Sequence, residues 1–147
     1  MRSTPNRVLA IIVGLIVGIA LVTVVLSATR PIVKLDQGTP QGTVQSYLSA
    51  VLDGKNADAA SYLSTNSPCT IEDLDRAYVM HSAQVTLVDV ATNGDASEVR
   101  VKVELPTGGP FENYMIEDHT LRLIRTGDHW LLVGIPWPLY DCGMVLK

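Results

Sequence analysis

Residues 8–28, VLAIIVGLIVGIALVTVVLSA, constrain this chain more than any other feature: twenty-one residues without a charge, fourteen of them Val, Leu or Ile. As a helix the stretch reaches roughly 31 Å at ~1.5 Å per residue, about the thickness of a hydrocarbon core. A helix buried in a small domain needs fewer apolar residues and keeps a polar side, and this stretch has none. On the insertion scale its composition favours lipid by on the order of 6 kcal/mol. The β-branched run from Val22 to Val25 would weaken a helix in water. In lipid an unpaired backbone costs far more, so a transmembrane helix is the expectation.

The rival is a cleavable signal peptide, because Met1 to Arg7 is short and basic and Ser27-Ala28 closes the apolar run with small residues. The run is about twice the length of a signal-peptide core, and Leu26 occupies a position where a cleavage site needs a small residue. An uncleaved signal-anchor is therefore expected, and with no cysteine before Cys69 there is no lipoprotein anchor. Orientation by charge is nearly a tie, Arg2 and Arg7 facing Arg30 and Lys34. The small N-terminal tail and the later cysteines favour a cytoplasmic N-terminus and an extracytoplasmic C-terminal domain. The expected layout is a tail over 1–7, the span over 8–28, a tether over 29–37 and one domain over 38–147. Ala10, Gly14 and Gly18 form a small-xxx-small stripe on which a second membrane helix could pack, although glycine is common in such helices anyway.

Beyond residue 30 lie 117 residues, enough for one domain with its own core. They carry eight Lys and Arg against all fifteen acids, a formal charge of −7, which argues against a nucleic-acid partner. The two cysteines, Cys69 and Cys142, fall on the side expected to be oxidising, so one disulfide between them is expected. They lack zinc-site spacing, and His81, His119 and His129 show no metal-ligand pattern, so neither a metal nor another cofactor is expected.

Thr39-Pro40 reads as an N-cap followed by a first-turn proline, and Val44, Tyr47, Leu48, Val51 and Leu52 make one apolar helical stripe that Asp53-Gly54 ends. Asn56 or Asp58 is expected to cap a second short helix that runs through Ala57, Ala60, Tyr62 and Leu63. Thr70 to Asp73 has the form of a capping box opening a third helix towards Arg76.

From Val79 the period changes to two. Val85, Leu87, Val88 and Val90 lie in a strand ending at Asn93-Gly94, a hairpin signal, and Val99, Val101, Val103 and Leu105 alternate with Arg100, Lys102 and Glu104 on the return. Two more strands are expected, about 114–125 and 129–135, joined at Thr126-Gly127-Asp128 and stopped by Pro136 and Pro138. Helices followed by hairpins give an α+β class: two to three helices packed on a curved four-stranded antiparallel sheet.

The segments GTPQGTVQSYLSAVLDGKNADAASYLS and LRLIRTGDHWLLVGIPW, with the hairpin between them, resemble the NTF2-like (cone-shaped α+β) superfamily, and more narrowly its small membrane-anchored members from high-GC Gram-positive bacteria. The resemblance covers most of residues 38–137. It implies fold and not function, because that superfamily holds isomerases, dehydratases, transport factors and non-catalytic accessory domains.

In the catalytic types that the resemblance brings in, an acid or base and a hydroxyl share the pocket between first helix and sheet. Tyr47 on the helix stripe, with Glu117 and His119 on the face of the third strand that also carries Met115, Leu121 and Leu123, is the grouping that could serve. Its plain reading is a core aromatic and a solvated strand end. No isomerase or dehydratase motif is reproduced, so no catalytic residue is assigned. Trp130 and Trp137 read as core and rim, with Trp137 among prolines also a candidate contact.

Three readings of function follow. The first is a non-catalytic, single-pass membrane protein whose extracytoplasmic domain is an accessory or scaffold for another integral membrane or envelope protein. The second is a pocket for a small apolar or polyketide-like molecule, binding it or acting on it as an isomerase or dehydratase. The third is a homodimer through the open face of the sheet.

Overall fold

The computed structural model describes residues 11–16, 33–108 and 113–142. The chain divides into two compact units, Met1–Val33 and Lys34–Lys147. In the first unit, residues 11–16 are helical (α1) and their side chains are exposed. Among the described residues no helix is long and apolar enough to cross a membrane. The rest of the expected span, with Ala10 and Gly18, lies outside the described residues. Gly14 lies within them, with open space where a Cβ would stand.

The second unit begins before the expected boundary at Gly38. Within the expected tether, the Leu35 amide donates to Gln45 Oε1 at 2.8 Å, and the Asp36 carbonyl accepts from the Thr39 amide at 3.0 Å and the Thr39 hydroxyl at 2.6 Å. The chain thus wraps the start of α2 (Pro40–Leu52), whose N-cap is Thr39, its hydroxyl accepting from the Gly42 amide at 3.2 Å. Proline sits in the first turn, where its missing N–H costs nothing. Val44, Tyr47, Leu48 and Val51 bury one stripe as their spacing predicts, and Leu52 is half-buried.

Helix α3 (Asn56–Ala60) departs from expectation at its cap: Lys55 holds that position and no side chain closes the turn. Asn56 instead reaches across to α4 (Ile71–Arg76), its Nδ2 donating to the Asp75 carboxylate at 2.8 Å and to the Leu74 carbonyl at 3.4 Å. The helix stops at Ala60, short of the expected Tyr62 and Leu63, whose amides make turn bonds to the Ala59 and Ala60 carbonyls; Ala59 is its buried small residue, while Ala57 is exposed. The capping box of α4 forms as read, Thr70 and Asp73 bonding reciprocally.

Strands β1 (Gln84–Asn93), β2 (Ala96–Pro106), β3 (Tyr114–Thr126) and β4 (His129–Val133) pair antiparallel in sequence order into one curved sheet. A bulge between Leu87 and Asp89 explains why the apolar residues of β1 break a strict period of two. With Val88 as the extra residue, Val85 and Leu87 before it and Val90 after it face Val103, Val101 and Val99. The same bulge sets Asp89 opposite Arg100, and the two pair at 2.6 Å.

Both tight hairpins turn on Gly-Asp: Gly94-Asp95 lies between paired Asn93 and Ala96, and Gly127-Asp128 between paired Thr126 and His129. Glycine takes φ +58° and +62° at these first loop positions, while no other residue type among those described has positive φ. The first turn is thus one residue later than the Asn93-Gly94 pair suggested. Strand β4 ends at Val133, two residues earlier than expected, where Gly134 bends away at φ +73°. Its outer edge is met by the loop after α3, with the Ser64 amide donating to the Leu132 carbonyl and the Leu132 amide to that of Tyr62, both at 2.8 Å. The core lies between α2 and the inward face of the sheet, with Val99, Val101, Val103, Leu121, Leu123 and Leu132 all buried.

Candidate functional site

Along β3 the inward positions run from dry to wet. Leu123 and Leu121 are buried, His119 and Glu117 are half-buried, and Met115 is exposed. Residues i and i+2 share a strand face, so Glu117 and His119 are neighbours by construction, and His119 Nε2 donates to Glu117 Oε2 at 2.8 Å. The same carboxylate oxygen accepts from the Tyr140 hydroxyl at 3.1 Å. The His119 ring lies 6.1 Å from one ring of Trp137 and 6.4 Å from that of Tyr140, tilted by 47° and 62°.

These contacts set the electrostatics. Donation from His119 holds the Glu117 carboxyl below the ordinary carboxylate range, with Tyr140 and Trp137 adding to it against partial burial. Partial burial and then the ionised Glu117 push the Tyr140 phenol up. Glu117 is therefore an ionised acceptor that gathers donors from a strand and from the segment after β4.

That segment, residues 134–142, is a strap. Pro136, Trp137 and Leu139 are buried, and the Leu139 amide donates to the Pro136 carbonyl at 2.9 Å. Ser67 Oγ donates to the Gly134 carbonyl at 2.8 Å, and the Cys69–Cys142 disulfide, Cα–Cα 4.9 Å, fastens the far end. The bridge closes 73 residues, which in the chain-entropy model stabilises the fold by about 4 kcal/mol.

Between α4 and the strap runs an open groove of about 300 Å³, lined by Asp73, Arg76, Ala77 and Tyr78 on one side and residues 138–141 on the other. Tyr78 and Tyr140 stand on it 85% and 69% exposed. Arg76 is already engaged, its guanidinium meeting Asp73 Oδ1 at 2.7 Å and the Glu72 carbonyl at 3.1 Å.

Of the residues singled out from sequence, Cys69 and Cys142 are joined, and Glu117 and His119 are bonded to each other. Tyr47 does not join that pair. It is 0% exposed in the core, and its hydroxyl has no hydrogen-bond partner among the described residues. Trp137 is buried, not a rim residue. Tyr140 was not found from sequence, and its signal was thin: an aromatic in a proline-rich segment two residues before a cysteine.

No family model matches the chain, and no curated protein matches it by sequence. Its structure is similar to a crystal structure from Thiobacillus denitrificans to which a calcium/calmodulin-dependent protein kinase type II association domain has been ascribed. The TM-score is 0.53 at 15% identity, over 65% of this chain and 90% of that one. At that identity the likeness speaks for the fold alone, and the fold is NTF2-like.

Proposed function

We propose that this chain is a membrane-anchored, non-catalytic accessory protein of the cell envelope. Its N-terminal helix holds an extracytoplasmic NTF2-like domain beside a larger membrane complex. The observation that carries this reading is the burial of the apolar side chains between helix and sheet. Tyr47, Leu121, Leu123 and Leu132, all 1% exposed or less, lie in the core between helix and sheet, the region where the catalytic types brought in by the NTF2-like resemblance hold a pocket. The apolar run 8–28 supports the anchor, and the disulfide suits an oxidising compartment. The outward face of the sheet carries cross-strand ion pairs, Arg100 with Asp89 and Arg122 with Glu98, and such solvated pairs are not the apolar centre that a stable homodimer needs.

The test is affinity purification of the full-length protein from native membranes in mild detergent, beside a Gly14→Leu, Gly18→Leu variant. The expected result is a defined integral membrane protein that copurifies and is lost from the variant. A chain that purifies alone in both forms counts against the reading.

One observation favours a second reading. A carboxylate that fixes one nitrogen of an imidazole leaves the other free to take a proton, so Glu117 and His119 have the form of an acid–base pair on the strand face that also carries exposed Met115. Under that reading the open end of the sheet receives a small apolar molecule.

A further inference from the structure

We infer that the groove between α4 and the strap is the docking surface of the accessory domain, and that it takes an extended, positively charged segment of a partner protein. This rests on the accessory reading above and names the surface and the chemistry of the contact.

Two features mark the groove as built for contact. Exposed tyrosines are costly to hold still, yet Tyr140 is tied by its hydroxyl to Glu117 at 3.1 Å while its residue stays 69% exposed. Two residues further on the chain is pinned by Cys142. An aromatic ring fixed in the free protein is an anchor whose ordering cost is already met before a partner arrives. Tyr78, 85% exposed on the facing wall, supplies a second ring, and Leu139 forms an apolar floor. Tyrosine is among the residue types that carry most contact energy once a partner covers them.

Charge selects the occupant. The groove's cation, Arg76, is neutralised by Asp73, which leaves the exposed Asp141 as the lining charge with no ion pair among the described residues, in a domain of formal charge −7. A partner Arg or Lys can lie on a tyrosine face and meet that carboxylate, whereas an acidic segment finds no open cation on the lining. The shape is an open trough of about 300 Å³ with aromatic walls, which suits an extended backbone better than a helix or a closed ligand.

The probe is a fluorescein-labelled (Arg-Pro)4 peptide, titrated by anisotropy into the full-length protein in detergent, with (Ser-Pro)4 and (Glu-Pro)4 as controls. Binding of the Arg peptide alone is expected, weakened about fivefold or more by Tyr78→Ala and by Asp141→Asn. The charge-matched Asp118→Asn, on the outward face of β3, should leave it unchanged. Glu117→Ala should weaken it while the melting temperature stays within a few degrees, because it removes the acceptor of the Tyr140 hydroxyl and does not itself line the groove. Binding equal for all three peptides, or equal losses from Asp118→Asn and Asp141→Asn, overturns the proposal. Copurification separates this failure from that of the wider reading. A partner that still copurifies with the Tyr78→Ala, Asp141→Asn protein removes the groove and leaves the accessory role standing, and a chain that purifies alone in every form removes both.

Discussion

The Tyr140 hydroxyl reaches the Glu117 carboxylate, 23 residues earlier in the chain, at 3.1 Å, on the oxygen that also accepts from His119. One carboxylate thereby fastens the strap to the open end of the sheet.

This contact makes stability depend on acid. The folded Glu117 carboxyl titrates below its ordinary value, so its contribution is present above the ordinary carboxylate range and is lost as pH falls through the lowered folded value. Urea midpoints measured from about pH 6 down to about pH 3 should therefore fall less steeply for Glu117→Gln than for the parent. Asp73 and Asp89 are shifted in the same direction by Thr70 and Arg100, so part of the acid slope should survive in the variant.

Gly42 is required by close approach and not by its dihedral. A Cβ there would overlap the carbonyl oxygen of Asp36, which already accepts two hydrogen bonds from Thr39. Gly42→Ala should cost about 1–3 kcal/mol in chemical denaturation, against the helix-propensity gain of alanine. Gly38→Ala, where the nearest atom is a side-chain oxygen at 3.4 Å, should cost clearly less.

Burial pushes the Tyr47 phenol up, and its hydroxyl has no partner among the described residues. Tyr47→Phe keeps the ring and removes the unpaired oxygen, so it should be neutral or stabilise by about 1 kcal/mol. Tyr47→Ala should cost about 3–5 kcal/mol through the cavity it leaves. A Tyr47→Phe protein that melts well below the parent would mean that the hydroxyl holds a bound water or ligand, in favour of the pocket reading.

The disulfide should matter twice over. The Cys69→Ser, Cys142→Ser protein should lose about 4 kcal/mol of stability. Its strap should also exchange amide hydrogens faster at Leu139, whose amide donates to Pro136, while the sheet residues of β2 keep their protection. Equal protection in both proteins would show that the strap is held by Trp137 and Leu139 alone.

Much of this fold was legible because its signals are local. Thr39-Pro40, the stripe from Val44 to Val51, the Thr70–Asp73 box and the alternation from Val99 to Leu105 each use residues within one element, and each formed as read. The misreadings came where a distant partner decides. Asn56 gave up its local cap for Asp75, and the bulge at Val88 depends on the register against β2. The candidate site divides in the same way. Glu117 and His119 were paired from strand alternation, but nothing within β3 announces that Tyr140 will return to them, and the stripe that carries Tyr47 turns it into the core and away from the pair.

The central claim is that the chain works by holding another protein and not by holding a small molecule. Native mass spectrometry of the full-length protein, released from its own membranes in mild detergent, measures that directly. The account predicts a complex containing this chain of 15.9 kDa and a second polypeptide in fixed ratio. The chain alone, or the chain carrying a bound organic molecule of a few hundred daltons, would contradict it.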